Sequence, residues 1–410
     1  MAAEPQAPNV PEAPAAERVQ ARVNLAAIER NCARLRTGLS GGAALCAVVK
    51  ANGYGHGAVQ SARAALTGGA SWLAVAGARE LRELREAGLR EVRVLVMGAL
   101  SPVELAEALA AGGEVVVWNE TYLQAVAAAG GGRVHVKLDS GMGRLGTRDA
   151  DQASEVARLA AETAGVELAG AMTHFATADE LDDGGFFAAQ LASFTSWAAT
   201  ISERHPGVLI HAANSAAMLR EVSAQFDMVR CGIAVYGMDP FGRDPGLRGL
   251  EPALELGSYL AEVKPCAAGE SAGYGRRFVA EQDTCIGVIP VGYGDGWRRA
   301  LSNNADVLIG GERHPLVGTV SMDSITVDLG PDLRVAGRLQ GARAILIGIQ
   351  GSQRITAEEV ARRLDTINYE VTCALTPRVP RVYHRDGATG RDGATGRAGG
   401  AAAPAPTDGT

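Results

Sequence analysis

The chain has 410 residues, 47% of them apolar and 21% charged, with a formal net charge of −7, a globular profile with room for two domains that each have a substantial core. The negative balance argues against a nucleic-acid or other polyanionic partner, and no run of 18 or more apolar residues is free of charge, so no membrane span is expected. Six cysteines at 32, 46, 231, 266, 285 and 373 form no CxxC pair and are too sparse for a disulfide framework or a structural zinc site, so no metal is expected.

Residues 1–16 are rich in alanine and proline and lack the basic-then-apolar order of a secretory signal, so a disordered tail and a cytoplasmic location are expected. Apolar runs then end near Lys50, Ala76, Met97, Trp118, Leu138, Thr173, His211 and Gly232. Eight runs, rich in Val, Leu, Ile and Ala without strict alternation, match parallel strands buried on both faces and the strand count of a closed (β/α)8 barrel of the TIM type. A doubly wound open sheet satisfies the same rhythm. The segments 79–88, 102–111, 120–130, 149–164 and 186–204 have helical composition. After a linker at 240–250 the pattern turns to short strands and tight turns at 256–263, 284–291, 306–309, 315–320, 325–329 and 344–347, followed by a helix at 357–364. Thr356 is its expected N-cap, and Glu359 would complete a capping box. The expected division is therefore a tail at 1–16, a barrel at 17–245, a mainly β domain at 246–384 and a second disordered tail at 385–410. That last segment carries two copies of Arg-Asp-Gly-Ala-Thr-Gly, at 385–390 and 391–396.

Lys50 closes the first of the eight runs and opens a glycine-punctuated turn that contains Tyr54. A lysine there suits a cofactor held as a Schiff base with its phosphate in a nearby cup, or else an ammonium snorkelling from a strand edge. Lys137, Asp139, Arg144, His174, His211, Asn214, Ser215 and Arg230 also fall at or just beyond the carboxyl ends of the expected strands, the face where barrel active sites form. Each could be an ordinary loop residue, and His174 by itself reads as a structural histidine. Their shared placement is what points to catalysis.

Four barrel motifs occur in order: Ala47-Val48-Val49-Lys50-Ala51-Asn52-Gly53-Tyr54-Gly55-His56-Gly57, Lys137-Leu138-Asp139-Ser140-Gly141-Met142-Gly143-Arg144-Leu145-Gly146, His211-Ala212-Ala213-Asn214-Ser215-Ala216-Ala217 and Met228-Val229-Arg230-Cys231-Gly232-Ile233-Ala234-Val235-Tyr236-Gly237. The second domain adds Ala272-Gly273-Tyr274-Gly275-Arg276, Pro290-Val291-Gly292-Tyr293-Gly294-Asp295-Gly296, Val320-Ser321-Met322-Asp323 and Thr366-Ile367-Asn368-Tyr369-Glu370. Over roughly residues 18–385 this ordered set resembles the alanine racemases, enzymes that use pyridoxal 5'-phosphate.

The resemblance implies a (β/α)8 barrel with a C-terminal β domain, working as a head-to-tail homodimer whose two sites are each completed by both subunits. It implies that Lys50 carries the cofactor and exchanges the Cα proton on the D side, while Tyr274 of the neighbouring subunit exchanges it on the L side. One base fixed on one face cannot readily serve both, so two are needed. His174 resembles the histidine that hydrogen-bonds the catalytic tyrosine. Arg230 resembles the arginine facing the pyridine nitrogen, which should leave that nitrogen largely neutral. Tyr54, Ser215, the amides of Gly232 and Ile233, and Tyr369 would bind phosphate. Arg144 and the Met322 amide would hold the substrate carboxylate. Lys137, which many relatives carry as a carbamate, would position Arg144, with Asn214 and Asp323 as further supports.

Gly53 stands where alanine is common in that family, a change expected to loosen the turn slightly, and Ser321 stands where many members have cysteine. Tyr274 and Tyr369 would narrow the pocket toward the methyl group of a small amino-acid substrate. A broad-specificity or serine racemase shares much of this framework, and a non-catalytic pyridoxal-phosphate carrier is a third reading that the long second domain opposes. An amino-acid decarboxylase on a similar barrel is opposed by the Tyr274 and Arg230 motifs. Racemisation would feed peptidoglycan precursors or D-amino-acid metabolism.

Overall fold

A computed structural model of the chain describes residues 17–386. Eight strands, β2 (Ala44–Val48), β3 (Trp72–Val75), β4 (Arg93–Val96), β5 (Glu114–Val117), β6 (Gly132–Lys137), β7 (Val166–Met172), β8 (Leu209–His211) and β9 (Met228–Cys231), pair in parallel and close into a barrel. Most of their residues are apolar on both faces because one side fills the barrel and the other is covered by helices; Leu45, Ala47, Leu73, Val75, Leu95, Val115 and Val117 are all buried. The expected helices occupy Ala78–Glu86, Pro102–Ala110, Glu120–Ala128, Ala150–Glu162 and Phe186–Arg204. Leu25–Thr37 and Ala58–Thr67 add two that the composition had not marked. Every barrel strand thus ends where the sequence places it, so the polar residues at those ends share one face.

The first strand of the described chain, β1 (Val19–Asn24), lies outside the barrel. It runs antiparallel to Leu254–Tyr259 and parallel to the last strand, Arg381–His384, within a ten-stranded sheet built mainly from the C-terminal segment. The strand expected at 256–263 is two strands: Leu254–Tyr259 pairs with Arg343–Gln350, and Glu262–Cys266 pairs with Thr284–Ile289. The fully buried Leu260 sits at the corner between them.

Thr356 does cap the helix Ala357–Arg363, accepting the Glu359 amide at 3.1 Å. The reciprocal half of the box is not formed, because the Glu359 carboxylate pairs instead with Arg313 at 2.7 Å and Arg363 at 3.1 Å. All six cysteines are free. Among the described residues, no helix is long and apolar enough to cross a membrane. The two expected tails lie outside the described residues, apart from Arg385 and Asp386.

Candidate active site

Three residues after the end of β2, the backbone enters a left-handed turn. Ala51, Asn52 and Gly53 have φ/ψ of 52°/48°, 53°/47° and 61°/44°, and Tyr54 follows at φ 52°. An L-residue in that region costs about 1–2 kcal/mol, so three non-glycine residues among four successive positions form a strained segment that its surroundings must impose. The turn puts Lys50 at the barrel mouth and sends Tyr54 inward, where its ring packs 5.1 Å from that of Tyr236 and 5.9 Å from that of Tyr369. Burial, and then the neighbouring Arg144, lower the pKa of Lys50, which favours the free amine.

Arg230, on β9, is buried in the barrel. Its Nη1 donates to His211 Nδ1 at 2.8 Å, and its Nη2 reaches the carbonyls of Thr173 (2.8 Å) and Ala212 (2.9 Å) and His174 Nδ1 (3.3 Å). Burial lowers its pKa to about 10, which leaves it cationic at neutral pH. A guanidinium only donates, so both imidazoles must present an unprotonated Nδ1 and carry their proton on Nε2. His211 Nε2 then donates to His135 Nδ1 at 2.8 Å, and His135 Nε2 to Glu114 at 2.9 Å. Arg93 grips the same carboxylate at 2.5 and 2.8 Å while stacking 3.9 Å over Trp72. Burial lowers the pKa of all three histidines; for His174 the cations Arg230, Arg144, Lys137 and Lys50 add to it. The three are therefore neutral.

The neighbouring strand ends hold the rest of the barrel set. Lys137, the last residue of β6, is buried without a carboxylate at ion-pair distance among the described residues. Burial followed by Arg144 and Arg230 lowers its pKa to about 8. Arg144 is exposed in the following loop. Asp139 is committed to that loop, accepting the amides of Gly141 (3.1 Å) and Gly143 (2.9 Å) and the Nε of Arg148 (3.2 Å). Asn214 caps the short helix Ser215–Arg220 through the Ala217 amide at 2.9 Å. Ser215 Oγ accepts the amide of Gly232 at 3.0 Å and that of Ala234 at 3.4 Å, so the Gly232 amide assigned to phosphate is already bonded here. A side chain at Gly232 is impossible without rearrangement, since its Cβ would lie 2.2 Å from the Tyr54 hydroxyl. Burial raises the pKa of the Tyr54 and Tyr369 phenols and keeps both as O–H donors.

Tyr274, Met322 and Asp323 belong to the β domain. Tyr274 is 72% and Met322 51% exposed. No hydrogen bond, ion pair or ring contact among the described residues joins either to the barrel set. The Met322 carbonyl accepts the Gly294 amide at 2.9 Å, and Asp323 pairs with Arg378. Within one chain, then, Lys50, Tyr54, Lys137, Arg144, His174, Ser215, Arg230, Gly232, Ile233 and Tyr369 gather around the barrel mouth, while Tyr274 and Met322 stand apart from it.

This arrangement fits pyridoxal phosphate. Every guanidinium nitrogen of Arg230 is hydrogen-bonded except Nε, which is buried without a partner and is suited to face a ring nitrogen with a lone pair. The Gly232 backbone, two tyrosine hydroxyls and the Ser215 hydroxyl offer a cup for an anion beside an amine of lowered pKa. Sequence reasoning missed His135, Glu114 and Arg93. The one available signal was a charged or imidazole side chain at the start or middle of an otherwise apolar run, in Glu114-Val115-Val116-Val117 and Val134-His135-Val136.

Residues 23–240 match the family model "Alanine racemase, N-terminal domain" and residues 253–383 match "Alanine racemase, C-terminal domain". The chain is 41% identical over 374 residues to alanine racemase of Geobacillus stearothermophilus, covering 89% of this chain and 93% of that protein. It is also 41% identical over 375 residues to that of Thermobifida fusca, covering 89% and 97%. The solved structures of alanine racemase from E. faecalis and from Streptomyces coelicolor A3(2) superpose with TM-scores of 0.83 at 35% and 36% identity, each covering 90% of this chain and 98% of the other.

Proposed function

The chain belongs to the alanine racemase family, and we propose that it interconverts L- and D-alanine with the residues at the barrel mouth divided into holding, proton-moving and carboxylate-binding groups. The observation that carries this assignment is the buried, unpartnered Nε of Arg230 on β9 together with the low-pKa amine of Lys50 just beyond the neighbouring strand β2. When bound, pyridoxal phosphate makes the Cα–H of the attached amino acid acidic by drawing the resulting charge into its ring.

Lys50 would hold the cofactor through Nζ and, once displaced from it by substrate, serve as the free amine that moves the proton on the D face. Arg230 would donate Nε–H to the ring nitrogen, leaving that nitrogen without a proton of its own. Tyr54, Tyr369 and Ser215 would donate to the phosphate with the Ile233 amide, and Gly232 would supply the close backbone approach. Arg144 would pair with the substrate carboxylate, supported by Lys137.

The proton on the L face needs a base that this chain does not place at its own barrel mouth. Tyr274, exposed on the β domain with Tyr293, Met322 and Ile367 also exposed, supports a head-to-tail homodimer in which Tyr274 of a second copy enters the site together with the Met322 loop. The neutral His174, with its proton on Nε2, is set to donate to that phenolic oxygen and so favours its loss of a proton. The barrel domain is taken as residues 25–245 and the β domain as 246–384 joined by the strand Val19–Asn24, which pairs with it, and the protein as cytoplasmic.

The test is deuterium incorporation at Cα of L-alanine in heavy water with chiral analysis of the product, with and without pyridoxal phosphate and with Lys50→Ala as control. Cofactor-dependent formation of labelled D-alanine, lost in the control, is the expected result. Cofactor binding with neither exchange nor inversion of alanine, tested against serine as well, would overturn the reading in favour of a carrier.

A further inference from the structure

We infer that Glu80 and Arg381, which lie in different domains, are positioning residues that impose the left-handed turn carrying Lys50 and Tyr54; for its link to the cofactor this inference rests on the function proposed above. Local hydrogen bonding accounts for only part of the handedness: Asn52 accepts the Gly57 amide on its carbonyl at 2.8 Å and the Ala58 amide on Oδ1 at 3.1 Å. Inside the turn, Gly53 donates to the Val49 carbonyl at 2.9 Å and Gly55 to that of Ala51 at 3.1 Å, and both bonds have the four-residue spacing that a right-handed helical turn would make at no steric cost. The rest of the preference comes from groups outside the turn that accept the left-handed placement of its N–H and C=O groups.

Two charged side chains supply it. The carboxylate of Glu80, on the helix Ala78–Glu86, takes the Ala51 amide with one oxygen and the Ala76 amide with the other, both at 2.7 Å. This ties the first left-handed residue to the loop after β3. At the other end, Nε of Arg381 donates to the Gly55 carbonyl at 2.9 Å. Its two Nη atoms hold the carbonyls of Thr376 (2.8 Å), Val379 (2.7 Å) and Leu375 (2.9 Å). Arg381 has no carboxylate partner among the described residues; all three of its nitrogens are spent on backbone, and its planar fork fixes the loop 375–379 and Gly55 in one frame. Gly55 itself, at φ 86°, lies so close to the segment before that loop that a Cβ would sit 2.1 Å from the Thr372 carbonyl oxygen. The C-terminal strand of the β domain therefore reaches the lysine turn in the same chain, by a route separate from Tyr369.

Lys50 precedes the left-handed stretch and Tyr54 ends it, so the turn's handedness decides whether the amine and the phenol address one cofactor. Releasing either clamp should let the turn relax and separate the two.

The test uses the full chain with Glu80→Gln, which keeps shape but loses one acceptor oxygen, Arg381→Lys, and both together. Amide hydrogen exchange over residues 50–58 is followed without cofactor, and the pyridoxal-phosphate dissociation constant is measured by ultrafiltration. Exchange over 50–58 should accelerate at least tenfold in each single variant, with cofactor affinity falling about tenfold. The double variant should fall short of the product of the two, because both act on one turn. Unchanged protection of 50–58 in both variants, or affinity losses that multiply independently, would overturn the inference. If the parent chain binds no cofactor, the proposed function fails on its own, and the exchange measurement still decides whether the two residues hold the turn.

Discussion

His211 Nδ1 accepts from Nη1 of Arg230 at 2.8 Å, and this single contact orders the protons along the barrel interior. Because arginine cannot accept, the chain Arg230 to His211 to His135 to Glu114 has one direction, with a cation at one end, a carboxylate at the other and two neutral imidazoles between. The guanidinium thus has its charge answered by a distant carboxylate through polarised hydrogen bonds, while its Nε stays free for the site.

Stability should fall with acid, beginning above the carboxylate range. Burial depresses His56 to about 4 and holds His135, His174 and His211 below their ordinary value. The unfolded chain therefore binds more protons than the folded one once pH drops below about 6.5, and each such group removes up to about 1.4 kcal/mol per pH unit until its folded pKa is reached. Thermal midpoints of the cofactor-free protein from pH 8 to 5 should be flat above 7 and drop below 6.5. A flat profile down to pH 5 would contradict the neutral, buried assignment.

Gly232→Ala should expel Tyr54 from its present place, since the added Cβ would meet the hydroxyl at 2.2 Å. Cofactor affinity is expected to fall at least tenfold, whereas the unfolding free energy should drop by about 1–3 kcal/mol, the usual range for overpacking. Fluorescence titration with pyridoxal phosphate and urea unfolding measure the two. Unaltered affinity would remove Tyr54 from the phosphate cup.

Lys137, with a pKa of about 8 and no carboxylate at ion-pair distance among the described residues, presents a large neutral fraction at pH 8, the form that reacts with carbon dioxide. Labelled bicarbonate should give a carbamate carbon signal that Lys137→Ala lacks. That variant should raise KM for alanine more than it lowers kcat, because Arg144 would lose its support. The reverse split would assign Lys137 to the proton transfer itself.

Lys50→Ala and Tyr274→Phe should each be inactive alone, yet regain activity when mixed and allowed to exchange subunits. A mixed dimer would hold one site with both lesions and one intact, so random exchange should restore about a quarter of the parental rate. Recovery of none, with dimers confirmed by sedimentation, would place both residues in the same chain's site.

The lysine motif, the eight strand ends and the ordered glycine and tyrosine signatures were all legible in the linear chain, because strand-ending apolar runs and reactive side chains are local features. From them followed the barrel, the β domain and the residues at the barrel strand ends, but not Arg93, Glu114 and His135 behind them. Contacts distant in sequence were not legible. Val19–Asn24 reads as an ordinary apolar strand, and only pairing with Leu254–Tyr259 and Arg381–His384 assigns it to the C-terminal sheet. Gly53 read as a loosened turn, whereas at φ 61° it is the one residue of the left-handed stretch that bears no steric penalty. Glu114 and His135 lie tens of residues from their partners, and Glu80 and Arg381 lie 29 and 326 residues from the turn residues they hold. Their roles depend on side-chain direction and partner geometry, which only the closed barrel and its docked β domain decide. Sequence by itself determined which chemistry the chain carries, because that depends on residue types at strand ends; tertiary structure decided the handedness of the lysine turn and the proton order behind Arg230, because both are set by hydrogen bonds between groups that no local pattern brings together.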